Sequence, residues 1–209
     1  TGVLIDNSTG YGGVTVKKTL RDRSNGVGSN GLYGMEIYSN GTVSIFDSGF
    51  HDNGYMTNWY SGLYVETAKA IKLVRVDSSN NWGAGAELHN QNAARAYGVS
   101  LYDCAFNGNG QEGLVVLSTG SINAKGLTAN GNSLRHYYLG SSSGTSATIN
   151  DLLWSPWMED FYSFYYTVAE GLIVFDAESD EVNLVIEVYD SNLNPVASAD
   201  SGEFGWNEH

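Results

Sequence analysis

A short pattern that recurs along the chain constrains its fold more than any other feature. Its clearest copies are residues 43–54 and 99–110, where alternating apolar residues precede a small residue, an aromatic residue and an Asn-Gly pair. A sharp corner needs a residue that tolerates positive φ, and Asn does so readily. Each copy therefore predicts two short strands and two corners. Four copies are predicted to close at Asn53, Ser79, Asn109 and Asn130.

A second frame, a strand led in most cases by glycine, precedes each copy. Its five starts lie 28, 23, 28 and 23 residues apart, at Gly34, Gly62, Gly85, Gly113 and His136. Repeats of about 20 to 50 residues are typical of solenoids, so each unit predicts three strands and three corners of one coil. Antiparallel hairpins are the alternative, but their turns would recur every 8 to 12 residues or so.

Equivalent apolar residues should form internal columns, because stacked strands lie about 4.8 Å apart. Cys104, the single cysteine, falls at the small-residue position that it is predicted to share with Ser48 and Val74, which indicates a buried structural thiol. The predicted columns are Ile45, Ile71, Leu101, Ile122 and Ile149, and Phe50, Val76, Phe106, Leu127 and Trp154.

Composition supports an all-β class and limits the partners. The chain has 209 residues with 26 Gly and 2 Pro, and apolar residues rarely follow helical spacing. Its net charge of −13, with only 10 basic residues, would repel a phosphate backbone, which argues against nucleic acid. No stretch approaches the roughly 20 apolar residues of a membrane span.

The repeat resembles the right-handed parallel β-helix repeats of the pectate-lyase-like superfamily, which also serve in surface adhesins and phage tailspikes. The resemblance is close over residues 31–154 and loose over residues 1–30. It implies a right-handed parallel β-helix of about five to six coils, which we place at residues 1–155. Such a fold is compatible with many functions.

Composition changes at residues 154–157, and short strands with ordinary turns follow. Their order is similar to the pre-peptidase C-terminal domain, a small β-sandwich appended to secreted proteins. We therefore expect residues 156–209 to be a partial antiparallel β-sandwich, either a fragment or completed by strand addition from a partner. The predicted antiparallel strands lie at residues 161–168, 171–175, 182–189 and 195–197.

Outward residues of the glycine-led strands should form a strip on one face of the β-helix. Glu66 and Glu87 would lie about 8 Å apart on strand geometry, within the roughly 6.5 to 9.5 Å that separates the carboxylates of inverting glycosidases. Neighbouring tyrosines could pack on sugar faces. The two outward columns are Glu36, Tyr64, Glu87 and Val115, and Tyr38, Glu66, His89 and Leu117.

The resemblance makes this face the first candidate site, because enzymes of the superfamily place their chemistry there. Its lyases use Asp with calcium and a basic residue, and its hydrolases use an Asp cluster. The strip instead has Glu and His with no Arg or Lys, which favours contact over catalysis. Candidate catalytic residues are Glu36, Glu66, Glu87 and His89, and candidate carbohydrate contacts are Tyr38, Tyr64, Glu66, Glu87 and His89.

Three other motifs carry little functional signal. The G-x-S-x-G string at residues 140–144 lacks the strand, elbow and helix of a serine hydrolase. The four histidines show no ligand spacing. A weak resemblance to a calcium loop, which lacks its Gly and closing Glu, makes Ca²⁺ the only cofactor considered, with candidate ligands Asp190, Asn192 and Asn194.

These patterns together predict an extracellular or cell-surface structural or adhesive protein. Its β-helix would be a rigid rod and its sandwich a connector, with self-association or another surface protein at the open ends and carbohydrate on the outward face. A polysaccharide lyase or glycoside hydrolase is the alternative. A phage tailspike, in which three chains would associate along the coil axis, is a second alternative.

Overall fold

The computed structural model describes residues 1–18, 27–55, 59–141, 147–150, 164–167, 173–175, 185–189 and 195–200. All regular structure in these residues is β-strand, which confirms the predicted all-β class. Within this part of the chain, no helix has the length and apolar character that a membrane span requires. The strands are β1 (Val3–Asn7), β2 (Val14–Lys17), β3 (Val27–Gly28), β4 (Met35–Ser39), β5 (Val43–His51), β6 (Leu63–Thr67), β7 (Ile71–Asp77), β8 (Ala86–His89), β9 (Val99–Tyr102), β10 (Leu114–Ser118), β11 (Ile122–Lys125), β12 (Tyr137–Ser141), β13 (Ala147–Asn150), β14 (Phe164–Thr167), β15 (Ile173–Phe175), β16 (Val185–Tyr189) and β17 (Pro195–Asp200).

Two parallel sheets form the main sides of a β-helix. Sheet A has the order β1, β4, β6, β8, β10, β12, β14, and sheet B has the order β2, β5, β7, β9, β11, β13, β15. Successive strands alternate between the sheets, so the chain winds as stacked coils. A short third side consists of the pairing of β3 with β5 and bridges that join Asp77 to Ala105 and Ala105 to Thr128.

Sheet A has the register that the glycine-led frames predict. Met35 pairs with Leu63, Leu63 with Ala86, Ala86 with Leu114 and Leu114 with Tyr137. All five side chains are at most 2% exposed. Glycine leads these strands because the coils approach closely: a Cβ at Gly85 would lie 2.5 Å from the carbonyl oxygen of Gly113.

Sheet B has internal columns that differ from the predicted ones. Ile45 pairs with Leu73, not with Ile71, because Ile71 pairs with Val43. A two-residue slip keeps every side chain on its own face, so the alternation of apolar residues cannot distinguish the two registers. The observed internal columns are Val43, Ile71, Val99 and Ile122, and Ile45, Leu73, Leu101 and Ala124. The backbone register continues from Ile122 to Ala147 and from Ala124 to Ile149.

The column predicted for Phe50 also has a different membership. Val76 pairs with Ser48, and continuing the parallel register places Ser78, not Val76, opposite Phe50. Cys104 is 2% exposed, which confirms the buried thiol. The bridge from Asp77 to Ala105 places Cys104 opposite Val76. The residue that shares the position of Cys104 is therefore Val76, and the predicted Val74 is wrong. Trp154 lies outside the described residues.

The corner ladder of asparagines runs through Asn81 and Asn132, and the predicted positions Ser79 and Asn130 are wrong. Each Asn Nδ2 donates to Oδ1 of the Asn one coil further on, at 2.9 to 3.1 Å. Ser79 instead belongs to a parallel column, where its Oγ accepts a bond from the backbone N–H of Asn107. Residues 79–81 are all polar, so the sequence pattern alone does not show which of them occupies the corner position. The ladder is Asn30, Asn53, Asn81, Asn109 and Asn132.

The chain divides into compact units of residues 1–175 and 176–209. In the first unit, β14 pairs in parallel with β12 and β15 with β13, so the antiparallel arrangement predicted for these two segments is wrong. The composition of a short aromatic or β-branched strand does not show whether it pairs in parallel or antiparallel. The connections between strands set that direction. In the second unit, β16 and β17 are antiparallel as predicted. The predicted boundary at residues 155 and 156 lies outside the described residues.

Candidate functional site

The outer face of sheet A brings the predicted site residues together. Glu36 pairs with Tyr64 and Tyr64 with Glu87, while Tyr38 pairs with Glu66 and Glu66 with His89. These side chains alternate with fully buried neighbours, because successive residues of a strand point to opposite faces. We call this set the outer strip: Glu36, Tyr38, Tyr64, Glu66, Glu87 and His89.

Hydroxyl groups hold the three carboxylates of the outer strip. Tyr38 Oη donates to Glu36 Oε1 at 2.6 Å, and Tyr64 Oη donates to Glu66 Oε2 at 3.2 Å. Ser61 Oγ donates to Glu87 Oε1. Glu36 Oε2 also accepts from Thr1 Oγ1 at 3.0 Å. The remaining lone pairs of the three carboxylates can accept bonds from a ligand hydroxyl.

Two further tyrosines, which the sequence did not single out, extend the strip on its N-terminal side. The ring of Tyr33 packs against Tyr60 with centroids 4.8 Å apart and against Tyr64 at 5.3 Å. Tyr64 also packs against Tyr38 at 5.8 Å. Tyr33 and Tyr60 precede the glycine-led strands, so they reach the strip only because the corners of adjacent coils meet.

The tyrosine hydroxyls of the strip keep their protons into strongly alkaline solution. Burial, followed by the charges of Glu87 and Glu36, raises the pKa of Tyr33 to about 12. The hydrogen bond to Glu36 is the main cause that raises the pKa of Tyr38, whereas burial is the main cause for Tyr64. All three therefore remain neutral hydrogen-bond donors at physiological pH.

His89 lies on β8, at one end of the strip, in its neutral form. Burial lowers the pKa of His89 below its usual range, and the negative charges of Glu87 and Glu66 oppose this shift only in part. Its Nε2 lies 3.9 Å from Glu87 Oε2 and has no hydrogen-bond partner among the residues that the structure describes. The imidazole also packs against Tyr64, with centroids 5.3 Å apart. Nε2 is itself buried, so this atom is not open to a ligand on the outer face.

An open cavity of about 210 Å³ adjoins Glu87 on the same face. Arg135 enters it from the corner before β12, with its guanidinium carbon 5.2 Å from the ring centroid of Tyr138 and Nη1 3.9 Å from Glu112 Oε1. The outer strip itself has no Arg or Lys, but the adjoining cavity adds this guanidinium. Coil stacking brings Arg135 there, and nothing in its local sequence indicates this. The lining is Ala84, Glu87, Gln111, Glu112, Val115, Arg135 and Tyr138.

The described residues offer no ready metal centre. Among them, no group of three or more His, Cys, Asp or Glu side chains is placed to hold a metal ion. The weak calcium candidates Asp190, Asn192 and Asn194 lie outside the described residues. The Ser142 position of the G-x-S-x-G string also lies outside them.

This arrangement suits the binding of a polyhydroxylated molecule. Tyrosine rings offer apolar faces, and hydroxyl and carboxylate groups beside them offer donors and acceptors. Glu66 and Glu87 occupy diagonal positions on adjacent coils, where strand geometry separates their backbones by about 8 Å. That separation is also compatible with acid and base catalysis on a glycosidic bond.

The stacked coils and the outward strip define a β-helix protein with a candidate ligand face along one parallel sheet. The family model described as the right handed beta helix region matches residues 1–152. The chain belongs to this family, and its fold is the right-handed parallel β-helix that the repeats predicted. The comparisons with curated proteins and with solved structures each returned no match.

Proposed function

We propose that this chain binds carbohydrate on the outer strip of sheet A. The observation that carries the proposal is the tyrosine cluster: Tyr33, Tyr38 and Tyr64 pack ring to ring beside three carboxylates that their own or neighbouring hydroxyls hold in place. Sugar rings have apolar C–H faces and a rim of hydroxyls. A surface that alternates aromatic rings with fixed acceptors is complementary to both.

The β-helix supports this strip as a rigid base. The inward neighbours Ile37, Val65 and Leu88 are 0% exposed, so the strands that present the strip are anchored in the core. Binding groups held in this way lose little conformational freedom when a ligand arrives, and such preorganisation raises affinity. The strip also crosses several coils, so it suits an extended chain better than a single sugar.

The wider role that we propose is structural or adhesive, at an extracellular location or on the cell surface. The regular coils of the β-helix support it, because a stack of this kind is a rigid rod. Open ends of sheets are natural sites for assembly into filaments or a surface layer. A monodisperse monomer at high concentration, with Ca²⁺ present, would contradict the assembly part of this proposal.

Binding can be tested with a panel of neutral and acidic polysaccharides, by affinity electrophoresis followed by calorimetry. We expect Tyr64→Ala and Glu87→Gln each to weaken binding about tenfold, since each removes a packing surface or a charged acceptor worth roughly 1 to 2 kcal/mol. Tyr102→Ala, on the outer face of sheet B, is the matched control and should bind normally. Binding that survives both strip substitutions would refute the site.

Hydrolysis or lyase cleavage is the second candidate, favoured by the cavity beside Glu87 that also contains a guanidinium. Glu66 and Glu87 would serve as acid and base, with His89 within reach of Glu87. Release of reducing ends or of unsaturated products from the same panel, abolished by Glu87→Gln, would support an enzyme. If polysaccharide binds but no cleavage product forms, the enzyme candidate is refuted and the binding proposal remains.

A further inference from the structure

Two tryptophans stand exposed on adjacent coils, next to the outer strip. Trp59 is 52% exposed and Trp82 is 54% exposed, although indole is among the largest apolar side chains. Their ring centroids are 6.3 Å apart with an interplanar angle of 53°. We call the pair Trp59 and Trp82 the tryptophan shelf. A paired arrangement of this kind is uncommon for residues that are merely left on a surface.

The backbone positions both residues of the shelf. Trp59 has a φ of +55°, which a bulky side chain rarely adopts and which costs free energy. The backbone N–H of Trp82 donates to the carbonyl of Asn53 at 2.8 Å, so the asparagine corner fixes the main chain at Trp82. A side chain at Gly110 would collide with the Trp82 carbonyl and would lie 3.2 Å from the edge of the Trp59 ring.

The shelf is continuous with the candidate site. Trp59 is followed by Tyr60, whose ring packs on Tyr33 and so joins the tyrosine cluster. Trp82 lies two residues before Ala84, which lines the cavity that contains Glu87. The five residue steps from Trp82 to Glu87 span at most about 17 to 18 Å. A saccharide of several units could therefore contact the shelf and the outer strip together.

We propose that the tryptophan shelf binds sugar units of an uncharged polysaccharide whose adjacent units occupy the outer strip. This inference rests on the proposed function and adds the extent of the site and the class of glycan. The indole faces pack on the C–H faces of the sugars, and the carboxylates and hydroxyls of the strip bond to their hydroxyl groups.

Charge favours an uncharged chain over a polyuronate. The cavity next to the shelf has two carboxylates, Glu87 and Glu112, against the single guanidinium of Arg135. Glu36 and Glu66 add negative charge along the strip, and the chain has a net charge of −13. Each unit of an acidic polysaccharide would meet this repulsion, whereas an uncharged sugar would not.

Size favours a polymer over a small molecule. The cavity volume of about 210 Å³ is below the roughly 300 to 1,000 Å³ of pockets that enclose a complete small ligand. It can accommodate part of a ligand, with the rest lying on open surface. The strip and the shelf provide that surface on either side of Ala84 and Glu87.

The test compares oligosaccharides of two lengths by isothermal titration calorimetry. The probes are cello-, xylo- and manno-oligosaccharides of three and six units, with hexagalacturonate as the acidic comparison. We expect at least one neutral hexasaccharide to bind more tightly than its trisaccharide. Trp59→Ala and Trp82→Ala should each weaken the hexasaccharide about tenfold and the trisaccharide by less than about twofold. Tyr11→Ala, which removes a 93% exposed aromatic ring elsewhere, is the control.

The outcomes separate this inference from the proposed function. Glu87→Gln should weaken both lengths, because both occupy the strip. If a glycan binds and depends on Glu87 but not on the tryptophans, the shelf is refuted and the strip remains. Tighter binding of hexagalacturonate would refute the uncharged class, and no binding of any probe would refute both proposals. Loss of self-association in the tryptophan variants, measured by sedimentation velocity, would assign the shelf to a protein contact and refute it as a glycan site.

Discussion

Asn81 shows what a single residue contributes to the stacking of coils. Its Oδ1 accepts two bonds from Asn53, one from the backbone N–H at 3.1 Å and one from Nδ2 at 3.0 Å. Its own Nδ2 donates to Asn109 Oδ1 at 3.1 Å and to the carbonyl of Phe50 at 3.1 Å. The side chain is 2% exposed, so no solvent can replace these partners. One amide thus satisfies buried donors in two successive coils.

We therefore predict that Asn81→Ala destabilises the protein by about 2 to 4 kcal/mol. The substitution leaves the buried backbone N–H of Asn53 without its acceptor and removes one of the two acceptors of Asn53 Nδ2, the other being the carbonyl of Val27. Each lost bond to a buried donor costs roughly 1 to 3 kcal/mol. The measurement is the urea midpoint of unfolding followed by circular dichroism. Asn123→Ala, which removes an exposed Asn from β11, should change stability by less than about 0.5 kcal/mol. Equal effects of the two substitutions would contradict the ladder.

The raised pKa of Tyr33 predicts that the protein loses stability in alkaline solution. This pKa is raised to about 12 in the folded chain, first by burial and then by the charges of Glu87 and Glu36, whereas an unfolded tyrosine titrates near 10. A group whose pKa is higher in the folded state stabilises the fold fully below pH 10 and loses this contribution as pH rises toward 12. The urea midpoint should fall over this interval, and by less in Tyr33→Phe. Tyr11→Phe should follow the wild type.

At the scale of elements, each coil combines one large and one small residue on its short third side. Ser48 precedes Phe50 in one coil and Val76 precedes Ser78 in the next, and all four are fully buried. The following coils pair Cys104 with Phe106 and Leu127 with Ala129, also buried. The summed volume of the two inward side chains in each coil therefore varies less from coil to coil than the volume at either position alone. Close packing between coils requires this compensation.

Phe106→Ala should consequently cost about 3 to 5 kcal/mol, because Cys104 is too small to fill the cavity that remains. The free energy of unfolding in urea is the measurement. Tyr102→Ala changes an aromatic residue in the same coil that is 37% exposed on the outer face. It should cost about 1 kcal/mol or less, mainly the contact of its ring with Lys72. Similar costs for both substitutions would mean that the third side is not part of the core.

The register of β4, β6, β8, β10 and β12 in sheet A could be predicted from sequence, and that of sheet B could not. Glycine precedes β4, β6, β8 and β10 because the adjacent coil leaves no room for a Cβ, as at Gly85, and it marks the start of each of these strands. Sheet B has no such marker. Ile71 and Leu73 both point inward and are both aliphatic, so either could have been opposite Ile45.

The residues of the outer strip could be predicted from the register of sheet A, whereas the residues around the strip could not. Glu66, Glu87 and His89 could be placed because strand alternation fixes which residues face outward. Tyr33 and Arg135 lie in corners, where no periodicity applies. Their positions depend on how corners of different coils meet, which requires the three-dimensional stacking.

At the scale of the whole molecule, charge is divided between the two parallel sheets. The outer face of sheet A has Glu36, Glu66 and Glu87, whereas sheet B has Lys72, whose Nζ lies 6.0 Å from the ring centroid of Phe46 and 5.9 Å from that of Tyr102. Lys17 lies 5.6 Å from Phe46 on the same face. The candidate site is thus on the more acidic side of a chain that is already strongly negative. An anionic polymer would approach that side against repulsion.

Salt dependence tests this division of charge. The Debye length falls from about 10 Å at 0.1 M salt to about 3 Å at 1 M, so repulsion between the outer strip and an anionic ligand should be screened over this range. Affinity for a neutral hexasaccharide should change by less than about threefold between 0.1 and 1 M NaCl, because packing on rings and bonds to hydroxyls involve no net ligand charge. Any measurable binding of hexagalacturonate should strengthen with salt. Calorimetric titrations at both salt concentrations give this comparison, and a steep loss of neutral-glycan affinity in 1 M NaCl would contradict the assignment of an uncharged ligand to this face.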